Sequence, residues 1–286
     1  MTEQVAESIY AQELRVAIAL AREAGAAALS FYGGPLAVEE KAEAEGPVTQ
    51  ADRVANELIV GGLKREFAAD GILAEESIDT ERRLSLPRVW MVDPLDGTKG
   101  FIAGSGDFAV QIGLAVEGES VLGVVYQPVP GVLYWAARGA GAWVVRPEFP
   151  TPERLRVSEQ TDLSKMRLAA SRAHRSARMD AVVRALGISE EVRRDSVGIK
   201  VGLIAERQCD VYVHLSPKTK HWDTCAPEAI LHEAGGRMTD LWGEPLRYNT
   251  PDMLNRNGIA ASNGVAHQSI VERLTPLLEE SGRERV

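Results

Sequence analysis

Between Phe108 and Val145 the chain passes through four strand-like runs, Phe108 to Val116, Val121 to Tyr126, Val132 to Ala136 and Ala142 to Val145, parted only by short turns containing Gly or Pro. Connections this short suit antiparallel strands, so the stretch predicts an antiparallel meander. The preceding part reads as helix. From Glu7 to Tyr32, the residues Leu14, Ile18, Ala21, Ala24, Ala28 and Leu29 recur at helical spacing until Gly33-Gly34-Pro35. A second helix opens at Thr49 and Asp52, with Val54, Leu58, Ile59, Leu63 and Phe67 as its apolar face before Asp70-Gly71. Two short runs, Ile72 to Ala74 and Val89 to Val92, then read as strands that end at carboxylates, Glu75-Glu76 and Asp93. After Val157 short strands and helices alternate: Leu168 to Ala170, Met179 to Leu186, Ile199 to Glu206, Val211 to Val213, Thr224 to Ala234 and Ile259 to Ala261. The expected class is α+β leading into α/β, in two parts, 1–157 and 158–286, with no flexible linker, repeat or low-complexity tract.

With 45% of 286 residues hydrophobic, the chain can bury a sizeable core. Its longest apolar stretches are broken by Arg22, Glu23, Glu117, Glu119 and Arg138 before about twenty residues accumulate, so no membrane span is expected. Met1-Thr2-Glu3-Gln4 has neither the basic nor the apolar region of a secretory signal, and Cys209 and Cys225 build neither a disulfide framework nor a C-x-x-C pair. Both features predict a cytoplasmic protein with free thiols. A net charge of −9 argues against binding a nucleic acid polymer. An anionic small molecule would instead need a local basic pocket or bound cations.

The segment Val92-Asp93-Pro94-Leu95-Asp96-Gly97-Thr98-Lys99 carries the most chemistry. Two carboxylates separated by a Pro turn can face one point, and Gly97 permits close backbone approach. A helical turn starting there would present the Gly97 and Thr98 amides as free donors, the usual setting for a phosphate. Taken singly, each acidic element has a plainer reading. Asp-Pro-Leu-Asp-Gly is a solvated turn, Glu75-Glu76 a solvated pair, Asp52 a first-turn helix residue, and Asp223 a helix N-cap with Pro227 in the first turn. Taken together, at strand ends and at the start of a helix at Trp222-Asp223-Thr224, they form one acidic site. Like charges about 4 Å apart repel by roughly 4 kcal/mol at an effective dielectric of 20, and hard divalent cations relieve that repulsion. Oxygen ligands without nearby His or Cys favour Mg²⁺, with Mn²⁺ possible, over zinc. The histidines His174, His214, His221, His232 and His267 show no zinc-ligand spacing. Metal-independent glycoside hydrolysis by paired carboxylates is the rival from another enzyme class, and a structural Ca²⁺ site lacks its D-x-[DN]-x-[DN]-G loop.

In order and spacing, Leu73-Ala74-Glu75-Glu76-Ser77, Asp93-Pro94-Leu95-Asp96-Gly97-Thr98 and Trp222-Asp223 resemble the three signature motifs of the inositol monophosphatase superfamily. Asp96-Gly97-Thr98-Lys99 with Ser171-Arg172-Ala173-His174-Arg175-Ser176 resembles its 3′(2′),5′-bisphosphate nucleotidase branch, and the resemblance covers nearly the whole chain. It implies a layered α-β-α-β-α sandwich and a Mg²⁺-dependent, lithium-sensitive phosphatase. The implied substrate is the 3′-phosphate of adenosine 3′,5′-bisphosphate, with inositol monophosphate or fructose 1,6-bisphosphate as alternatives at the same metal site. The resemblance further implies two or three Mg²⁺ ions. Glu75, Asp93 and the Leu95 carbonyl would hold the first, and Asp93, Asp96 and Asp223 the second. The third would lie near Asp52 and Glu75, mostly through water. Thr98, oriented by Asp52, would position the attacking water, and the Gly97 and Thr98 amides would hold the phosphate. His174, Arg175 and Lys200, beside Asp223, would hold the nucleoside and its 5′-phosphate. The family forms both monomers and homodimers.

Some positions depart from the family pattern. Gly100 stands where many nucleotidases of this type have Glu, with Asp107 as a later acid. Lys41 lies one residue farther from Pro47-Val48-Thr49 than the pattern has it. Ser196 precedes Lys200 by four residues, where the family places a phosphate-contacting Ser shortly before the Lys. Read without the resemblance, Lys200 is a solvated helix residue, and His174 and Arg175 form a polar loop leading into a helix.

Overall fold

The computed structural model describes residues 8–34, 38–40, 47–172, 176–283 and 285. Helix α1 (Ala11–Leu29) buries Leu14, Ala17, Leu20, Ala21, Ala24 and Ala28 along one stripe. It starts later than the periodicity from Glu7 suggests, and it ends in turns at 30–34. Strands β1 (Val38–Glu40) and β2 (Pro47–Thr49) pair antiparallel, and helix α2 (Gln50–Glu66) follows at once. Thr49 is the N-cap of α2. Its Oγ1 accepts from the Ala51 amide at 3.2 Å, while Asp52 Oδ2 accepts from the Thr49 amide at 2.8 Å, so first-turn capping fixes Asp52 as well as the helix start.

A seven-stranded sheet follows in chain order: β3 (Gly71–Ala74), β4 (Arg88–Asp96), β5 (Ala109–Val116), β6 (Glu119–Gln127), β7 (Val132–Ala137), β8 (Gly141–Arg146) and β9 (Phe149–Arg154), with the one-turn helix α3 (Thr98–Ile102) between β4 and β5. Strand β3 runs parallel to β4, and every other neighbouring pair is antiparallel. The meander is therefore present and longer than expected. The extra strand β9 is exposed and carries Pro150 and Pro152, features of a sheet edge that leave little apolar alternation to read. Strand β4 does not stop at Asp93 but runs on to Asp96. Asp93 pairs with Gln111 and Asp96 with Ala109, so three steps on β4 face two on β5, a bulge over Pro94 and Leu95, of which Pro94 has no amide to donate.

The rest of the chain supplies β10 (Arg167–Ser171), α4 (Ala177–Leu186), β11 (Glu190–Arg194), α5 (Val197–Ala205), β12 (Val211–His214), α6 (His221–Glu233), β13 (Arg237–Thr239), β14 (Ile259–Ser262) and α7 (His267–Glu280). Its five strands are ordered β11-β10-β12-β14-β13, parallel from β11 to β12 and antiparallel beyond. The layers stack as α1 and α2, the seven-stranded sheet, α5 and α6, the five-stranded sheet, and α4 with α7. This is the α-β-α-β-α sandwich. Helix α6 lies against the larger sheet because Gly123 has no side chain: a Cβ there would come within 2.1 Å of the Ala226 carbonyl oxygen. Pro227 occupies the second turn of α6 and not the first, and Asp223 is its third residue and not its N-cap. Among the described residues no helix is long and apolar enough to cross a membrane.

Candidate metal centre

The ends of three elements meet where the two sheets share the α5 and α6 layer. The Glu75 amide donates to the Val92 carbonyl at 3.0 Å, which extends the β3 pairing by one residue and sets Glu75 beside Asp93. The β4 bulge supplies Asp93 and Asp96, and the first turn of α6 supplies Asp223. Carboxylate oxygens of Asp93, Asp96 and Asp223 all lie within 4.8 Å of one another. Each acid is held by its own scaffold. Asp93 Oδ1 accepts from the Leu95 amide at 3.0 Å, and Asp223 Oδ2 accepts from the Lys220 amide at 2.6 Å. On Asp96, Oδ2 alone accepts from Gln111 Nε2 (2.6 Å), Ser196 Oγ (2.6 Å) and the Gly198 amide (3.1 Å).

The electrostatics of the cluster are unbalanced. Burial, followed by the charges of Glu75, Asp96 and Asp223, pushes the Asp93 carboxyl well above its usual range. Burial also raises Asp96 to about 6, and burial with Asp96 and Glu75 raises Asp223 to about 8. Asp52 is raised by burial too. Such a cluster favours either protonation or a cation, and its donors are all oxygens, the set that hard divalent ions take.

Thr98 sits at the edge of the cluster. Its Oγ1 lies 3.1 Å from Asp52 Oδ1 and 3.2 Å from the Leu95 carbonyl, and its one proton can serve only one of them at a time. The Thr49 hydroxyl donates to the other Asp52 oxygen at 2.6 Å, which fixes that carboxylate toward Thr98. Gly97 takes a left-handed backbone, φ +97°, and a Cβ on it would approach the Asp107 carbonyl oxygen to 2.6 Å, so glycine is required at the turn that starts α3.

Of the substrate residues expected from sequence, His174 and Arg175 lie outside the described residues, as does Lys41. Lys200 is not solvated. It is 2% exposed, its Nζ donates to Ser171 Oγ at 3.0 Å and to the Asp195 carbonyl at 3.3 Å, and it lies 4.7 Å from the Tyr212 ring centroid. Burial lowers its pKa to about 8, against the opposing pull of Asp96 and three other acids. Ser196 caps α5, accepting from the Ile199 amide at 3.1 Å, and donates to Asp96. Asp107 is likewise committed, accepting from Arg172 Nε at 2.8 Å and the Asp195 amide at 3.2 Å.

Two further residues at the centre belong to no motif. Gln111, fully buried, braces Asp96, and the Tyr212 hydroxyl is buried in the field of Asp96 and Asp223 with no hydrogen-bond partner among the described residues. A lone Gln inside the apolar run from Val110 to Val116 is the one sequence signal that could have marked it. Asp223 also lines a cavity of about 660 Å³, whose wall combines apolar Ala169, Met179 and Val213 with Arg178, Lys218 and His214.

A sequence profile of the inositol monophosphatase family matches residues 10–281. The chain is 37% identical to the 3′(2′),5′-bisphosphate nucleotidase CysQ of Escherichia coli (strain K12) over 248 residues, 85% of this chain and 96% of that protein. CysQ from Bacteroides thetaiotaomicron superimposes with a TM-score of 0.74 at 32% identity, covering 88% of this chain and 97% of that one. The IMPase of Thermotoga maritima superimposes with a TM-score of 0.80 at 26% identity, covering 94% and 99% of the two chains.

Proposed function

The chain belongs to the inositol monophosphatase family, and from that premise we propose that it is a Mg²⁺-dependent phosphatase that removes the 3′-phosphate of adenosine 3′,5′-bisphosphate to leave AMP. The observation that carries the reading is the buried cluster of Asp93, Asp96 and Asp223, three carboxylates crowded within one ion's reach. The substrate comes from the 37% identity to a bisphosphate nucleotidase across 96% of that enzyme's length.

Asp93, Asp96 and Asp223 would hold Mg²⁺, with Glu75 and the Leu95 carbonyl as further oxygen donors; Mn²⁺ would suit the same set. When bound, the ions neutralise the carboxylates, acidify water near neutral pH and offset charge on the phosphoryl oxygens. The chain's own groups do the rest. Thr98 Oγ1, donating to Asp52, keeps its lone pairs free to accept a hydrogen bond from the attacking water, and Asp52 can take up the proton through Thr98. The Gly97 and Thr98 amides at the start of α3 would hold the phosphate. Lys200 would act from behind, as a buried countercharge to Asp96 and as the donor that orients Ser171 at the edge of the Asp223 cavity. The second phosphate would meet the exposed cations of that cavity wall, Arg178 and Lys218, and the apolar wall residues would receive the nucleoside. The roles of His174 and Arg175 in holding the nucleotide rest on the family resemblance alone.

Phosphate release from adenosine 3′,5′-bisphosphate, inositol 1-phosphate and fructose 1,6-bisphosphate, each with Mg²⁺ and with excess chelator, tests the proposal. Turnover should require Mg²⁺, be highest on the nucleotide, and fall in Li⁺. A preference for inositol 1-phosphate would move the substrate to the second reading, which the 0.80 TM-score with the Thermotoga maritima IMPase favours. Full turnover in chelator would end the metal mechanism.

A further inference from the structure

Arg146, Arg154, Arg156 and Arg207 line a cleft of about 280 Å³ between β8, β9 and the C-terminal end of α5, in a chain whose net charge is −9. Two carboxylates, Glu153 and Glu206, share its wall. Glu206 is committed within the protein: it accepts from Arg146 Nη2 at 2.8 Å, the Tyr134 hydroxyl at 2.5 Å and Gln208 Nε2 at 2.6 Å. Glu153 is more than half exposed and stands 3.6 Å from Arg146 Nη1. The two acids thus both turn to Arg146, and Arg154, Arg156 and Arg207 face the cleft with no carboxylate of their own among the described residues. Arg154 rests at 6.0 Å from the Trp143 ring centroid, and Arg207 uses its Nε to donate to the Arg156 carbonyl at 2.8 Å. Arg207 does so from a left-handed backbone, φ +63°, a conformation rarely adopted by a side chain of this kind. A second hollow of about 410 Å³ shares Arg154, Arg156 and Arg207, so the groove continues past these three guanidinium groups.

We propose that this cleft is a second anion site, which takes a phosphorylated small molecule by its phosphate dianion. Four guanidinium groups against two carboxylates leave two positive charges, the complement of a phosphate monoester. The planar forks of arginine match phosphate oxygens in pairs, which an exposed lysine cluster would not. The concave shape suits a small ligand, and the acidic remainder of the molecule would repel a polynucleotide. The site stands apart from the metal centre. Ser196, at the N-terminal end of α5, touches Asp96, whereas the cleft lies at the other end of that helix. Nine residues at about 1.5 Å each place the two ends roughly 13 Å apart.

Pyrophosphate is the probe, titrated calorimetrically into the full chain in excess chelator, where the uncompensated carboxylates of the metal centre repel an anion. One saturable site per chain is expected, weakened by added salt. The variant Arg154→Ser/Arg156→Ser, altered at two exposed positions, should lose affinity at least tenfold while its melting temperature and phosphomonoester turnover stay those of the wild type. Asp93→Asn should bind pyrophosphate like the wild type. Absence of saturable binding, wild-type affinity in the arginine variant, or loss of binding in Asp93→Asn would each overturn the proposal.

Discussion

Asp93 and Thr98 are expected to fail differently when replaced. Asp93 stands within reach of both Asp96 and Asp223, so Asp93→Asn removes a donor shared by the whole cluster and should abolish turnover. Thr98→Ala removes the group proposed to orient water, a contribution of about 10²–10⁴ in rate, and should leave a measurable remnant in a phosphate-release assay. Near-wild-type turnover in Asp93→Asn would disprove the metal assignment. Lys200→Met keeps the length of the side chain and removes its charge. Because Nζ bonds Ser171 and the Asp195 carbonyl under Tyr212, the variant should lose kcat/KM about equally on adenosine 3′,5′-bisphosphate and on a compact monophosphate. Loss confined to the bisphosphate would place Lys200 in direct contact with its second phosphate. At this scale the sequence was most legible where the candidate site is local: Asp93, Asp96, Gly97 and Thr98 follow one another at the end of β4 and the start of α3, and their spacing carries their geometry. Gln111 meets Asp96 across 15 residues, and Lys200 meets Tyr212 across 12 and Ser171 across 29, so no short window shows these contacts.

Among the elements, α6 does the most to assemble the centre, because it carries Asp223 in its first turn and lies across β5 and β6. Gly123→Ala would set a methyl group 2.1 Å from the Ala226 carbonyl oxygen, a backbone atom that cannot rotate aside. Overpacking of this kind costs about 1–3 kcal/mol, so the melting temperature should fall by several degrees, and turnover should fall further as Asp223 is displaced from its partners. An unchanged melting temperature would show that α6 has room to shift. The elements that reading by periodicity overlooked share a cause. Strand β9 is nearly all exposed, β11 (Glu190–Arg194) is charged at every position but Val192, and β13 has three residues, so none shows apolar alternation; each is held by backbone pairing with a neighbour. Helix α7 is different. Its buried Ile270, Val271, Leu274 and Leu278 do follow helical spacing, and Pro276 in its interior interrupts the pattern that would have revealed it.

On the scale of the whole molecule, the metal centre and stability are linked through pH. Buried His221 and His267 each have a pKa lowered by burial to about 4 from the ordinary 6.5. A depressed histidine contributes stability present above about 6.5 and lost as pH falls through 4, whether or not metal is bound. The carboxylates have the opposite sign. Asp96 at about 6 and Asp223 at about 8 are raised above 3.8, so the folded state without cations is favoured at low pH and loses stability as pH rises through those values. A divalent cation should cancel only this second arm, because it stabilises the ionised cluster, by about 2.7 kcal/mol at a hundred times its dissociation constant. Burial also lifts Glu228, away from the cluster, to about 8, an arm that no cation at the cluster cancels, so the cation's signature is the difference between the curves: the gain in melting temperature on adding Mg²⁺ should grow from pH 4 to 8. Asp93→Asn removes one of the crowded charges while its amide oxygen can still accept from the Leu95 amide. In chelator at pH 8 it should melt above the wild type, and in Mg²⁺ it should gain less than the wild type does. Parallel curves for the wild type in Mg²⁺ and chelator would mean that the cluster does not bind the ion. A chelated Asp93→Asn melting below the wild type would mean that the crowding is relieved within the protein itself.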